Sequence, residues 1–165
     1  MARSNPICRL METELPSITY QKKQLFRPTM ADVDRAYNIL NKHLFDDHLV
    51  KPNINVKRLT RAWGRCEWKN REQPSGSWCE ISMHDKWYCT QWFISVLAHE
   101  MVHQWQWDCY RWAHIEYYGK DINYRSSGHG PSFFMWRDKF SEYGVPLKRT
   151  FSTSRWMRHQ DLHKS

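Results

Sequence analysis

The chain has 165 residues, 41% of them apolar and 15% aromatic, with ten tryptophans and a formal net charge of +8 at pH 7. That length suits one domain with its own core, no apolar run approaches a membrane span, and residues 1–6 lack the apolar segment of a signal peptide. Five cysteines, Cys8, Cys66, Cys79, Cys89 and Cys109, include no Cys-x-x-Cys pair, which excludes an evident disulfide framework or zinc ribbon; reduced, mostly buried thiols in a soluble, monomeric, cytoplasmic protein are expected, and the basic balance favours nucleic acid as a partner.

Residues 1–27 show weak periodicity, with Lys22, Lys23 and Arg27 near their end. They read as an arm that either tracks phosphates or is simply solvated. Thr29 then caps a helix, with Asp32 three residues on as a variant capping box. Val33, Ala36, Tyr37, Leu40 and Leu44 give that helix one buried stripe, ending between residues 45 and 48. His43 and His48 read as surface residues.

Three strands follow. Ile54 and Val56 alternate with Asn53, Asn55 and Lys57, a half-buried pattern. Residues 62–68 form the second strand, with Gly64 at a bulge. Pro74-Ser75-Gly76 signals a turn. In the third, residues 78–83, Cys79, Ile81 and Met83 face one way and Trp78, Glu80 and Ser82 the other. The pattern predicts an antiparallel sheet.

Thr90 caps the next helix, expected from Gln91 into the Trp107–Tyr110 region. It carries His99-Glu100-Met101-Val102-His103, the His-Glu-x-x-His pattern. Residues four apart share a helix face, so His99 and His103 aim two imidazoles at one ion. Glu100 can reach a water on that ion, where the water becomes acidic enough to supply hydroxide near pH 7. The flanking Trp92 to Ala98 run, with Met101, Val102 and Trp105, predicts a largely buried helix, and buried polar groups need a reason. The rival reading is a satisfied core histidine pair.

A catalytic zinc takes three protein ligands. The metzincin continuation fails, because its glycine and histidine positions hold Gln106 and Cys109. Asp108, Glu116 and Asp121 are acidic candidates. His129 is the better one: Gly128 and Gly130 flank it, allowing a tight turn and close approach, and Pro131 suits the first turn of a helix. Between these segments, residues 111–125 mix Ile115, Tyr117, Tyr118, Ile122 and Tyr124 with Arg111, His114, Lys120 and Arg125, a mixture that suits stacking on single-stranded nucleic acid or an amphipathic cover over the site. One of Tyr117, Tyr118, Tyr124 or Arg125 is a candidate for stabilising an oxyanion. The last helix spans residues 131–143, with Phe133, Trp136, Phe140 and Tyr143 on its buried side, Gly144 ending it and Pro146 preventing resumption. The tail carries Lys148, Arg149, Arg155, Arg158 and Lys164 with Phe151 and Trp156, and reads as a nucleic-acid-binding tail or as a packed strap.

His99-Glu100-Met101-Val102-His103 followed by Gly128-His129-Gly130-Pro131-Ser132-Phe133 resembles the SprT-like metallopeptidase family, which includes the Spartan proteases. Upstream, residues 38–45, Ala62-Trp63-Gly64-Arg65-Cys66 and residues 79–83 fall where that family has a first helix and a small sheet. The resemblance covers residues 28–146, leaving 1–27 as an arm and 147–165 as a basic tail. It implies a zincin-like α+β fold: a small antiparallel three-stranded sheet packed on an N-terminal helix, the His-Glu-x-x-His helix and a C-terminal helix. It implies His99, His103 and His129 as ligands of Zn2+, Glu100 as general base, and a zinc-dependent endopeptidase, in some members activated by DNA and directed at proteins crosslinked to DNA. It also implies an edge strand beside the metal that pairs with extended substrate, for which residues 79–83 are the candidate. One departure is plain: members often carry a C-terminal four-cysteine ribbon, and no cysteine follows Cys109 here. The alternative is a non-enzymatic zinc-containing DNA-binding module.

Overall fold

Thr29 and Asp32 close a reciprocal capping box: the Asp32 N–H donates to Thr29 Oγ1 at 3.1 Å and the Thr29 N–H to Asp32 Oδ2 at 2.9 Å. That starts helix α1, Met30–Leu44, whose Val33, Ala36, Tyr37, Leu40 and Leu44 are fully buried. The computed structural model describes residues 26–122 and 128–150. Most of the arm, Cys8, Tyr124, Arg125 and the tail from Phe151 onward lie outside the described residues. Strands β1 (Asn53–Val56), β2 (Gly64–Trp68) and β3 (Cys79–Met83) precede the central helix α2, Thr90–Trp105. A π-helical turn, Gln106–Tyr110, continues directly into α3, Arg111–Tyr118, and the short helices α4 (Pro131–Phe134) and α5 (Arg137–Glu142) follow. The architecture is α+β, and no described helix is long and apolar enough to cross a membrane.

The sheet is mixed, in the order β1-β3-β2, which corrects the antiparallel expectation. β2 runs antiparallel to β3, but β1 runs parallel to it. The cause is the link between β1 and β2, which hooks around the end of β3. Lys57 N–H donates to the Met83 carbonyl at 3.0 Å, Leu59 N–H to His84 Nδ1 at 3.0 Å, and His84 N–H to the Trp63 carbonyl at 2.9 Å. Apolar alternation marks which face of a strand is buried and is silent on direction. The same order overturns residues 79–83 as the open edge: β3 is the central strand, and β2 is an edge strand packed on α2.

Gly64 sits at no bulge, because β2 pairs with β3 residue for residue from Gly64↔Met83 to Trp68↔Cys79. It serves close approach instead. A Cβ there would lie 2.8 Å from Val96 Cγ1 and 3.1 Å from Glu100 Cγ, so only glycine lets β2 lie this near the helix.

Helix α2 is buried all round from Trp92 to Val102, as a helix inside a core must be. Its cap is Cys89, whose Sγ accepts the Trp92 N–H at 3.4 Å, where Thr90 was expected. Phe26 reaches it from the N-terminal side, bridged to Trp87 and 5.2 Å from the Phe93 ring. The C-terminal helix comes in two pieces. The chain turns at Met135 and Trp136, where the Trp136 indole packs 4.7 Å from Phe45 and 5.0 Å from Trp105, tertiary packing that a local apolar stripe does not show. Gly144, at φ 71°, ends the second piece. Cys79 is buried, and Cys66, Cys89 and Cys109 are half-buried free thiols.

Candidate metal centre

One turn of α2 separates His99 from His103, and the helix turns both rings to the same side. His129 arrives from elsewhere. It precedes α4 in a turn whose Gly128 has φ 74°, a backbone that side-chain-bearing residues rarely adopt. The three rings meet: His103 Nε2 is 3.1 Å from His129 Nε2, which is 3.2 Å from His99 Nε2. One nitrogen from each of the three lies within 4.8 Å of the other two. Phe133, fully buried in the first turn of α4, packs 4.8 to 5.0 Å from all three imidazoles and holds them from one side.

The outer nitrogens of the helix pair are both spoken for. His99 Nδ1 is 2.9 Å from the Lys148 carbonyl, which only accepts, so the proton is on Nδ1 and the Nε2 lone pair faces inward. His103 Nδ1 is 2.8 Å from Gln106 Oε1 and carries its proton for the same reason. Two lone pairs therefore face His129 Nε2, which has at most one proton to share between them. A divalent cation answers all three nitrogens at once, and three neutral imidazoles are a donor set that suits zinc and other borderline ions. Burial acts in the same direction. It depresses His99 to about 3, helped by His103 and His129 and opposed by the Lys148 carbonyl, and His103 to about 4, opposed by Gln106. His129 is lowered by burial and by the Arg149 guanidinium. The His99 and His103 imidazoles thus stay neutral, the ligating form, well below pH 7.

Glu100 lies on the same helix, 7% exposed, flanked by Gly64 and Val96. Burial lifts its carboxyl to about 8, and a hydrogen bond from the Cys66 backbone lowers it in part. A buried carboxyl poised near neutrality, next to His99 in the chain, is suited to taking and returning a proton.

The other candidates lie apart. Asp108 faces the sheet, accepting from Ser77 Oγ at 2.5 Å and from the Trp78 N–H at 3.0 Å. Asp121 is held by Arg111, whose Nε and Nη2 donate to its two carboxylate oxygens at 2.8 Å. Glu116 is exposed, His48 is exposed, and half-buried His43 packs on Tyr143. Tyr117 and Tyr118, on a helix with no buried residue, are exposed and pack on each other. Sequence reasoning missed two supports. Gln106 entered only as a failed metzincin position, although a polar residue between Trp105 and Trp107, three after a histidine, is a signal. The Lys148 carbonyl is backbone and leaves no trace in residue type.

The model of the SprT-like family matches residues 33–152. A comparison with curated proteins finds no match.

Proposed function

The chain belongs to the SprT-like family, and from that premise we propose that it is a zinc-dependent endopeptidase, with His99, His103 and His129 as the metal ligands and Glu100 as the general base. The observation that carries this reading is the convergence of three imidazoles from two segments, with a buried carboxyl next to His99 in the chain. Zinc held there supplies Lewis acidity, polarising the scissile carbonyl and acidifying water toward pH 7. Glu100 does the proton work: its carboxylate takes a proton from the attacking water and its acid form delivers that proton to the leaving amine. His99 and His103 stay fixed by the Lys148 carbonyl and Gln106, so the geometry is set before substrate arrives. The edge of β2, with Gly64 against Glu100, suits an extended substrate that adds as a strand.

The net charge of +8 supports substrates held on a polyanion, and the proposal extends to proteins bound or crosslinked to DNA. The rival is a DNA-binding module with a structural zinc. Structural sites close with four protein ligands. Among the described residues the group that can hold a metal has three, and a closed site has no use for Glu100.

Glu100→Gln is the test. It keeps zinc, measured by metal analysis, and loses about 10²- to 10⁴-fold of a chelator-sensitive casein cleavage. A zinc-loaded variant that cleaves at the parental rate refutes the assigned role. Cleavage of a DNA-binding basic protein, compared with single-stranded DNA, with duplex and with neither, tests the extension. Equal rates remove DNA and leave the peptidase.

A further inference from the structure

We infer that Gln106 is a positioning residue for this centre, orienting the His103 imidazole and clamping the segment that brings His129 to it. The inference rests on the three-histidine reading above. Gln106 is 1% exposed, and a buried primary amide needs an acceptor's and two donors' worth of partners. It finds them at the site. Its Oε1 accepts from His103 Nδ1 at 2.8 Å, and its Nε2 donates to the Gly128 carbonyl at 2.8 Å and to Ser132 Oγ at 2.9 Å.

The Gly128 carbonyl has no proton to give, so the amide nitrogen must face it. The amide oxygen must then face His103, which puts the His103 proton on Nδ1 and the Nε2 lone pair toward the other two rings. One side chain thus selects the tautomer of one ligand and grips the backbone next to another. The Gly128 turn is shaped to this amide: a Cβ there would lie 3.3 Å from Gln106 Oε1 and 3.5 Å from His103 Nδ1. Gln106 is also the first residue of the π-helical turn, the kind of local widening that recurs at functional sites. Gln104, two residues earlier and equally buried, makes none of these contacts and bonds to Tyr37, Val50 and Asp108 instead. A buried glutamine in this helix is therefore not bound to the site by default.

The experiment uses the full chain and three variants: Gln106→Met, Gln106→Glu and His103→Ala. Zinc affinity is measured by competition with a chromophoric chelator, and ligand orientation by the visible spectrum of the cobalt(II) form. Gln106→Met should weaken zinc by about 10- to 100-fold, the usual effect of removing a ligand-orienting partner, and change the cobalt band. Gln106→Glu keeps an acceptor for His103 Nδ1–H and loses both donors. It should recover about half of that loss on a logarithmic scale, leaving zinc roughly 3- to 10-fold weaker than in the parent. Parental affinity and spectrum in Gln106→Met overturn the inference. So does an equal loss in both variants with an unchanged cobalt band, which marks a residue that only holds the scaffold. If Gln106→Met does not fold, Gln106→Glu decides: the intermediate loss supports the clamp, and parental affinity overturns it. His103→Ala separates the two readings. If it abolishes zinc binding and Gln106→Met does not weaken it, Gln106 alone loses its role. If the parent binds no zinc, the three-histidine reading falls and takes this one with it.

Discussion

Two groups of polar side chains are organised along one helix, and they are built to different ends. On the sheet side, Tyr37 Oη donates to Gln104 Oε1 at 2.8 Å, and Gln104 Nε2 donates to the Val50 carbonyl at 2.7 Å and to Asp108 Oδ2 at 3.1 Å. Asp108 also takes the Ser77 hydroxyl and the Trp78 N–H, and Ser77 Oγ takes the Cys79 N–H. Donors meet acceptors throughout, as in a network that rigidifies a core. At the histidine cluster, one nitrogen from each of three imidazoles turns toward the other two, and on the same helix the Glu100 carboxyl, buried against β2, is lifted to about 8. The cluster's outer hydrogen bonds, from His99 and His103 to Lys148 and Gln106, hold the rings in that arrangement rather than relieving it. A closed network contributes stability; a convergent one is arranged as a group that could hold a metal ion.

Crossed substitutions break the comparison most sharply. His129→Ala should weaken zinc by more than the roughly 100-fold upper range seen when a ligand-orienting partner is removed and leave the metal-free melting temperature nearly unmoved, since His129 is only half-buried. Asp108→Ala should do the reverse. It strands the Ser77 hydroxyl, the Trp78 N–H and one Gln104 donor, at a cost on the order of 3 kcal/mol, with zinc affinity changed little. If Asp108→Ala lowers zinc affinity as much as His129→Ala does, the two networks are one.

The pH dependence of the metal-free protein sharpens the contrast. Glu100 holds its proton up to about 8 when folded, whereas an unfolded glutamate releases it near 4.5. The folded state therefore binds the extra proton between those values, and stability falls as pH rises from 4.5 to 8. The histidines act oppositely. They take protons only near 3 and 4 when folded, against 6.5 unfolded, so their contribution is complete above 6.5 and is lost as pH falls below it. Glu100→Gln removes the first slope alone. Its stability relative to the parent should grow through the window from 4.5 to 8 by at most about 1.4 kcal/mol per pH unit, read from urea midpoints with chelator present. A difference that stays flat across that window would show that Glu100 is not held protonated.

Much of the site was legible in the sequence because a helix converts spacing directly into geometry. His99 and His103 one turn apart had to share a face, and Thr29 with Asp32 had to close a local loop whatever lay around them. Gly128 and Pro131 marked a turn into a helix, which is where His129 sits. What escaped was set by distant contacts. Alternation along residues 53–57 and 79–83 gave the faces of two strands, but their relative direction depends on a link that hooks around a strand end at His84. The break at Trp136 depends on Phe45 and Trp105. Gln106 was hidden because its role is defined by a carbonyl 22 residues away.

Gly64 is the instructive case, read as a bulge and found to be a contact, and it supports the last and smallest effect. Alanine there places a methyl 2.8 Å from Val96 Cγ1 and 3.1 Å from Glu100 Cγ. Val96 is β-branched and stiff, so the strand or the helix must move, at about 1–3 kcal/mol. Gly130→Ala is the control, because its Cβ would meet nothing within 4 Å and its φ is −104°; a change within about 0.5 kcal/mol is expected there. Val96→Ala removes the clashing methyl, so a double-mutant cycle should return a coupling of about 1 kcal/mol or more between Gly64 and Val96. Additive losses would mean that β2 does not press on the helix at this point. The approach of an edge strand to Glu100 would then be a matter of backbone placement, and glycine at position 64 would need another cause.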